Sequence, residues 1–112
     1  MAKRARKLEV VLTRDASRDL DEIWFWNAGY YDVPHADKYK AFLRTRAEAL
    51  TSGHTLGRPV PTRPEFRYIN IRRNLHGHGH VCIYRVKDDR VEILRFYHAR
   101  QDWQGGIQRF ED

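Results

Sequence analysis

The sequence predicts an α+β fold in the order β-α-α-β-β-β, with a helical hairpin packed on one face of a four-stranded, antiparallel-rich sheet. Three observations predict it. Two stretches between positions 15 and 52 carry apolar residues at helical spacing, three runs between 66 and 98 read as strands at hairpin spacing, and a β-prone run at 8–13 precedes them all. The chain has 112 residues, enough for one modest core. Residues 8–112 are expected to form one domain, with a basic arm at 1–7 before it and a tail from about 101.

The first strand is LEVVLT, bounded by Arg14-Asp15. After it Ala16, Leu20, Ile23, Trp24 and Ala28 form an apolar stripe, with Asp15 or Ser17 available as N-cap and Asp19, Asp21 and Glu22 near the positive end of the helix dipole. This predicts a helix over 15–29. A turn at Tyr31-Asp32 and the first-turn residue Pro34 start a second helix over 34–52, whose stripe is Ala36, Tyr39, Leu43, Ala47 and Leu50 and whose stop is Gly53. So short a loop makes the pair an antiparallel hairpin. The segment 56–65, LGRPVPTRPE, cannot be helical and reads as a connector crossing the surface. FRYINIRR (66–73), HVCIYRV (80–86) and VEILRFYH (91–98) then form an antiparallel meander, and the first strand is expected beside one of the last ones. In the tail, Gly105-Gly106 would interrupt any helix.

Composition narrows the function classes. No run approaches the roughly 20 apolar residues of a membrane helix, and MAKRARKLEV is too polar for a signal-peptide core, so a cytoplasmic location is expected. Cys82 is the only cysteine, which excludes an intrachain disulfide and any multi-cysteine zinc site. The formal charge is +6, and Lys3, Arg4, Arg6 and Lys7 in the arm leave the remainder close to neutral. Within it, residues 57–80 hold Arg58, Arg63, Arg67, Arg72 and Arg73 against Glu65 alone. Such a basic stripe suits nucleic acid or an acidic peptide, and it equally suits strand edges guarded by charge.

Three constellations could carry chemistry. His76, His78 and His80 alternate with glycines; extended, they would share a face, but Gly77 and Gly79 mark a hairpin turn and no nearby carboxylate or cysteine completes a metal set, so no metal and no cofactor is expected. Arg95, Tyr97, His98 and Arg100 could supply the base, acid and cation of a metal-free RNA cleavage, yet Tyr97 and His98 are consecutive in a strand and should point to opposite faces. Finally, Trp24, Phe25 and Trp26 cannot all face one core, so Phe25 and Trp26 are expected at the surface, where exposed Trp favours a protein partner over an internal cluster under the tail.

The pattern resembles the ParE/RelE toxin superfamily of bacterial type II toxin–antitoxin systems, on the ParE-like side. The resemblance rests on Ala16, Asp19-Leu20 and Glu22-Ile23-Trp24; on Ala36 and Tyr39; on Leu56-Gly57-Arg58-Pro59 and Arg67; and above all on HVCIYRVKDDRVEILRFYHARQD, with its Tyr-Arg-Val strand, acidic turn, Ile-Leu-Arg strand and closing His-x-Arg-x-Asp. It runs from about residue 8 to 103 and implies the same fold. RelE-like members cut messenger RNA in the ribosome, whereas ParE-like members poison DNA gyrase without that catalytic set. The lysine-rich stretch before the second strand and the late aromatic of the RelE branch are missing here, since the connector has no lysine and Gly105-Gly106 stand near the aromatic's place. The resemblance thus implies a gyrase-inhibiting toxin neutralised by a ParD-like antitoxin in a hetero-oligomeric complex, with no catalytic residues. Its alternatives are a ribosome-dependent ribonuclease using Arg67, Arg73, Tyr97, His98 and Arg100, and a nontoxic antitoxin-binding or corepressor module. Arg67, Arg73, His98 and Arg100 are the candidates for contacting the target, and Trp26, Tyr30 and Trp103 those for contacting the antitoxin.

Overall fold

A computed structural model describes residues 6–74 and 77–111. His76 of the histidine motif and Lys3 and Arg4 of the basic arm lie outside the described residues; Arg6 and Lys7 are exposed. The elements are β1 (Glu9–Leu12), α1 (Arg14–Tyr30), α2 (Val33–Glu48), α3 (Leu50–Gly53), β2 (Arg58–Val60), β3 (Arg63–Ile71), β4 (His80–Lys87), β5 (Arg90–His98) and α4 (Trp103–Gln108). The strands form one sheet in the order β1-β5-β4-β3-β2. Only β1 runs parallel to its neighbour, pairing Glu9 to Leu12 with Arg90 to Ile93. The expected α+β architecture is therefore present, with the first strand beside the last.

The helical hairpin forms where its caps permit. Thr13, rather than Asp15 or Ser17, is the N-cap of α1, its Oγ1 accepting from the Ala16 amide at 3.2 Å. The same hydroxyl lies 2.9 and 3.1 Å from the carbonyl oxygens of Ile93 and Leu94, so one side chain starts the helix and ties it to β5. Asp32 caps α2 by accepting from the His35 amide, and Pro34 occupies the first turn, where a missing amide costs nothing. Across the hairpin Trp24 donates from Nε1 to Asp37 and Lys40 pairs with Asp21.

Both faces of the sheet are covered. Leu20, Leu43, Ala47, Cys82, Tyr84, Ile93 and Phe96 pack between helices and sheet. On the reverse, Phe66, Val81, Ile83, Leu94 and Tyr97 pack under Ile107 of α4, with Trp103 and Phe110 at the margin. β4 is consequently buried at every position from His80 to Tyr84, which is why its sequence reads as a continuous apolar run.

Two further expectations change. The proline-rich connector does not simply cross the surface: Arg58–Val60 adds a fifth strand at the sheet edge, with Arg58 opposite Tyr68 and Pro59 opposite Arg67. Proline is tolerated there because an edge strand leaves one row of backbone groups unpaired. Tyr84 anchors this segment, its buried hydroxyl accepting from the Gly57 amide at 3.1 Å and donating to the His54 carbonyl at 2.8 Å. The tail, expected to be broken by Gly105-Gly106, contains α4 through both glycines. Asp102 caps it by accepting from the Gly105 amide; a Cβ on Gly105 would collide with that capping carboxylate and one on Gly106 would stand 3.1 Å from the Tyr97 ring, so these close approaches account for two glycines of weak helix propensity.

The turns follow their residues. Asp88 and Asp89 take positive φ values of 53° and 58° between the paired Lys87 and Arg90, the geometry of a tight two-residue hairpin. Gly79 has φ of +73°, and a Cβ there would fall 2.3 Å from the Ile71 carbonyl oxygen. No helix among the described residues is long and apolar enough to cross a membrane.

Candidate functional site

An open groove of about 670 Å³ lies between the helical hairpin and the end of the sheet, lined among others by Trp26, Tyr31, Tyr39, Arg73, His98 and Gln101. Its existence depends on where β1 stops. β1 pairs with β5 only as far as Ile93, so among the described residues the outer edge of β5 has no strand beside it from Leu94 onward. The register between β4 and β5 also shifts here: Ile83 faces Arg95 and Tyr84 faces Ile93, leaving Leu94 as an extra, bulged residue. The bulge reverses the alternation, so Phe96 packs toward the helices while Leu94 and Tyr97 pack toward α4.

Asp19 of α1 closes the bare edge. Only 6% exposed, it accepts from the Phe96 amide at 2.9 Å and from Arg95 Nε and Nη2 at 2.7 and 3.0 Å. The Arg95 guanidinium, half-buried, is held charged mainly by that hydrogen bond and also lies 4.7 Å from the centre of the Tyr97 ring. Further along the same edge, Gln101 Oε1 accepts from the His98 amide. The edge is thus satisfied by side chains, which blocks addition of another strand there.

Rings line the groove from end to end. Trp26 and Tyr30 stack almost parallel, 4.9 Å apart with 8° between planes, and Trp26 is 62% exposed. Contacts continue from Tyr30 to Tyr31, Tyr31 to His35, His35 to Tyr39, Tyr39 to His80, and His80 to His98. In the interior, Tyr39 Oη lies 2.6 Å from His80 Nδ1, a bond joining α2 to β4. Burial pulls His80 down to about 4, helped by the neighbouring His98, and pushes Tyr39 up to about 12 against a smaller opposing effect of Arg73. His98 is also lowered, by burial first and then by His78 and Arg100.

The structure separates the residues singled out from sequence. Arg73 and His98 meet at the groove, and Arg100 follows directly, its amide donating to His98 Nδ1 at 3.1 Å. Arg67 is elsewhere: its Nη1 donates to the Gly57 carbonyl at 2.7 Å, and it pairs with Tyr84, four positions along β4 from His80, roughly 13 Å at the rise of a strand. Tyr97 is 4% exposed and faces α4, opposite to His98 as the alternation requires. Trp26 and Tyr30 form one patch, whereas Trp103 packs on Tyr68 on the reverse of the sheet, with centroids 4.7 Å apart. Among the described residues no group of His, Cys, Asp or Glu could hold a metal ion.

Sequence reasoning missed Asp19 and the Tyr39–His80 bond. The signal for Asp19 was its position on the buried stripe of Ala16, Leu20, Ile23 and Asn27, where a carboxylate must have a partner.

Three comparisons bear on identity. Residues 10–103 match the family described as ParE toxin of type II toxin-antitoxin system, parDE. The chain is 34% identical over 87 residues to Toxin ParE1 of Caulobacter vibrioides, covering 78% of this chain and 84% of that one. It also shares the fold of a structure titled Chromosomal ParDE TA system from P. aeruginosa, with a TM-score of 0.72 and 22% identity over 84% of this chain and 98% of that chain.

The Tyr39–His80 pair gives stability a dependence on pH. An unfolded histidine titrates near 6.5 and His80 near 4, so the unfolded state binds the extra proton as pH falls through that window, and stability present above 6.5 is lost toward 4. The loss from this group is on the order of 3 kcal/mol, and His98 adds in the same direction. Tyr39 acts oppositely, its contribution being lost as pH rises from 10 toward 12. Urea midpoints measured across pH should fall on both sides, and the double variant Tyr39→Phe/His80→Leu should flatten both limbs; an unchanged decline between pH 6.5 and 5 would show that other groups cause it.

Proposed function

The chain belongs to the ParE toxin family of type II toxin–antitoxin systems, and on that footing we propose that it inhibits DNA gyrase and is neutralised by a ParD-like antitoxin. Membership places it among toxins that act by contact with a protein target rather than by catalysis. The observation that carries the reading at the level of residues is the dispersal of the groups a ribonuclease would need. Metal-free RNA cleavage requires a base, an acid and a phosphate-stabilising cation within hydrogen-bond reach of one phosphodiester. Tyr97 is buried under α4, Arg67 is committed to the Gly57 carbonyl, and only Arg73, His98 and Arg100 remain near one another. Those three suit a contact surface for the target.

The Trp26–Tyr30 stack is the proposed antitoxin contact. Two large rings exposed side by side on α1 offer the rigid, amphipathic anchor typical of interface hot spots. Trp103, the third candidate, lies on the reverse of the sheet, so a partner that also used it would have to reach both faces.

Purified gyrase should lose supercoiling activity when the toxin is added, while message bound to ribosomes stays intact. The Tyr97→Phe variant removes a phenolic proton at a buried position under α4, outside the proposed contact surface, and should still inhibit. Message cutting by the wild type that vanishes in this variant, with supercoiling untouched by both, would reverse the choice in favour of the ribonuclease. Unaffected growth on induction without the antitoxin would instead indicate a nontoxic binding module. For the antitoxin, Trp26→Ala should weaken the complex by about 2 kcal/mol, roughly 30-fold in Kd; an unchanged Kd in a folded variant would remove Trp26 from the interface.

A further inference from the structure

The arginines of the basic segment divide into two kinds. Arg63 is fully engaged: it pairs with Glu65 at 3.0 Å, reaches the carbonyls of Ile107, Gln108 and Phe110, and lies over the Phe66 ring. Arg67 is bound to Gly57. These two close the fold and are not available to a ligand. Arg73, on the rim of the groove, is exposed, and so is Arg100 beside His98; among the described residues neither is paired with a carboxylate. Arg58 of the same segment is also exposed but lies on β2 at the opposite edge of the sheet, whereas Arg73 and Arg100 stand beside the run of rings that ends in the exposed, parallel-stacked Trp26–Tyr30 pair.

We propose that this groove binds single-stranded nucleic acid, with an unpaired base stacking on the face of Trp26 that Tyr30 does not cover and the phosphodiester backbone passing Arg73 in the lining and then Arg100, which lies just beyond the lining beside His98. Two requirements of such binding are met together. Phosphates need unpaired cations along their path, and successive bases need flat aromatic faces; stacking on such faces is worth about 1–3 kcal/mol per base and tolerates any sequence. An acidic peptide would satisfy the arginines equally well, but a base can extend the existing parallel stack of Trp26 on Tyr30 while its phosphate meets the arginines, which favours the nucleic acid. The edge of β5 beside the groove is sealed by Asp19 and Gln101, so a peptide could not bind there by adding a strand. The inference concerns the chain by itself and does not rest on gyrase being the target.

Fluorescence anisotropy of a labelled oligothymidylate of about 12 nucleotides, titrated with the purified chain at several salt concentrations, tests it. The account expects saturable binding that weakens with salt. Arg73→Ala/Arg100→Ala should weaken it tenfold or more at low salt and reduce the log–log salt slope by about 1.4, since each phosphate contact on a single strand contributes roughly 0.7. Trp26→Ala should weaken binding fivefold or more and leave the slope unchanged, which separates stacking from charge. All three side chains are exposed, and circular dichroism melting checks that the variants fold. Absence of binding at low salt, an oligoglutamate of equal charge bound as tightly, or a slope indifferent to the arginine changes would each overturn the proposal. Inhibition of gyrase by a chain that fails these titrations would leave the family-based function standing and remove only this inference.

Discussion

The carboxylate of Asp19 is the contact on which the arrangement around the groove depends. β1 is too short to cover β5, and a strand edge deprived of its neighbour leaves backbone donors that must be satisfied or hydrated. Asp19 supplies the missing acceptor to the Phe96 amide and at the same time takes both donors of the Arg95 fork. A carboxylate buried to this extent is tolerated because its oxygens are engaged; removing one partner of such a pair typically costs about 3–5 kcal/mol, because the remaining charge is stranded. One side chain therefore fixes α1 against β5 just after the bulge at Leu94, where the alternation of the strand reverses.

That reversal has consequences for chemistry. With Phe96 directed to the helices, His98 comes beside His80 at the groove and Tyr97 is delivered to the opposite core under α4. The two groups that a ribonuclease would want together are separated by the thickness of the sheet. What remains at the groove is a surface suited to recognition: rings along the hairpin, cations at the far rim, and a neutral pair of half-buried Tyr39 and buried His80 beneath them. Arg63 and Arg67, conspicuous in the sequence as part of a basic stripe, serve instead as hydrogen-bond donors to carbonyls of the tail and of the loop before β2.

Where the sequence carried periodicity, it located the elements. The stripes of Ala16-Leu20-Ile23 and Ala36-Leu43-Ala47 are the faces the two helices bury, and HVCIYRV is a strand covered on both sides. The opposition of Tyr97 and His98 followed from strand alternation alone. Less legible were features set by tertiary contact. Nothing local in Arg58-Pro59-Val60 announces a strand; it forms because β3 offers an edge and Tyr84 holds Gly57 in place. Gly105-Gly106 argues against a helix until the Asp102 cap crowds the space beside Gly105 and the Tyr97 ring that beside Gly106. The exposure of Trp26 was evident from three consecutive aromatics, but the separation of Trp103 from it required the topology.

The most direct test of this account is amide hydrogen exchange at Phe96 in the wild type and in Asp19→Leu, which keeps the side chain's approximate volume and deletes its acceptors. Asp19 as the edge's missing acceptor predicts that Phe96 protection falls to that of an unpaired edge amide in the variant, while Cys82 and Ile83 in the centre of the sheet stay protected as long as the variant is folded. Equal Phe96 protection in the two proteins would contradict it, because the edge would then be satisfied by something other than this carboxylate.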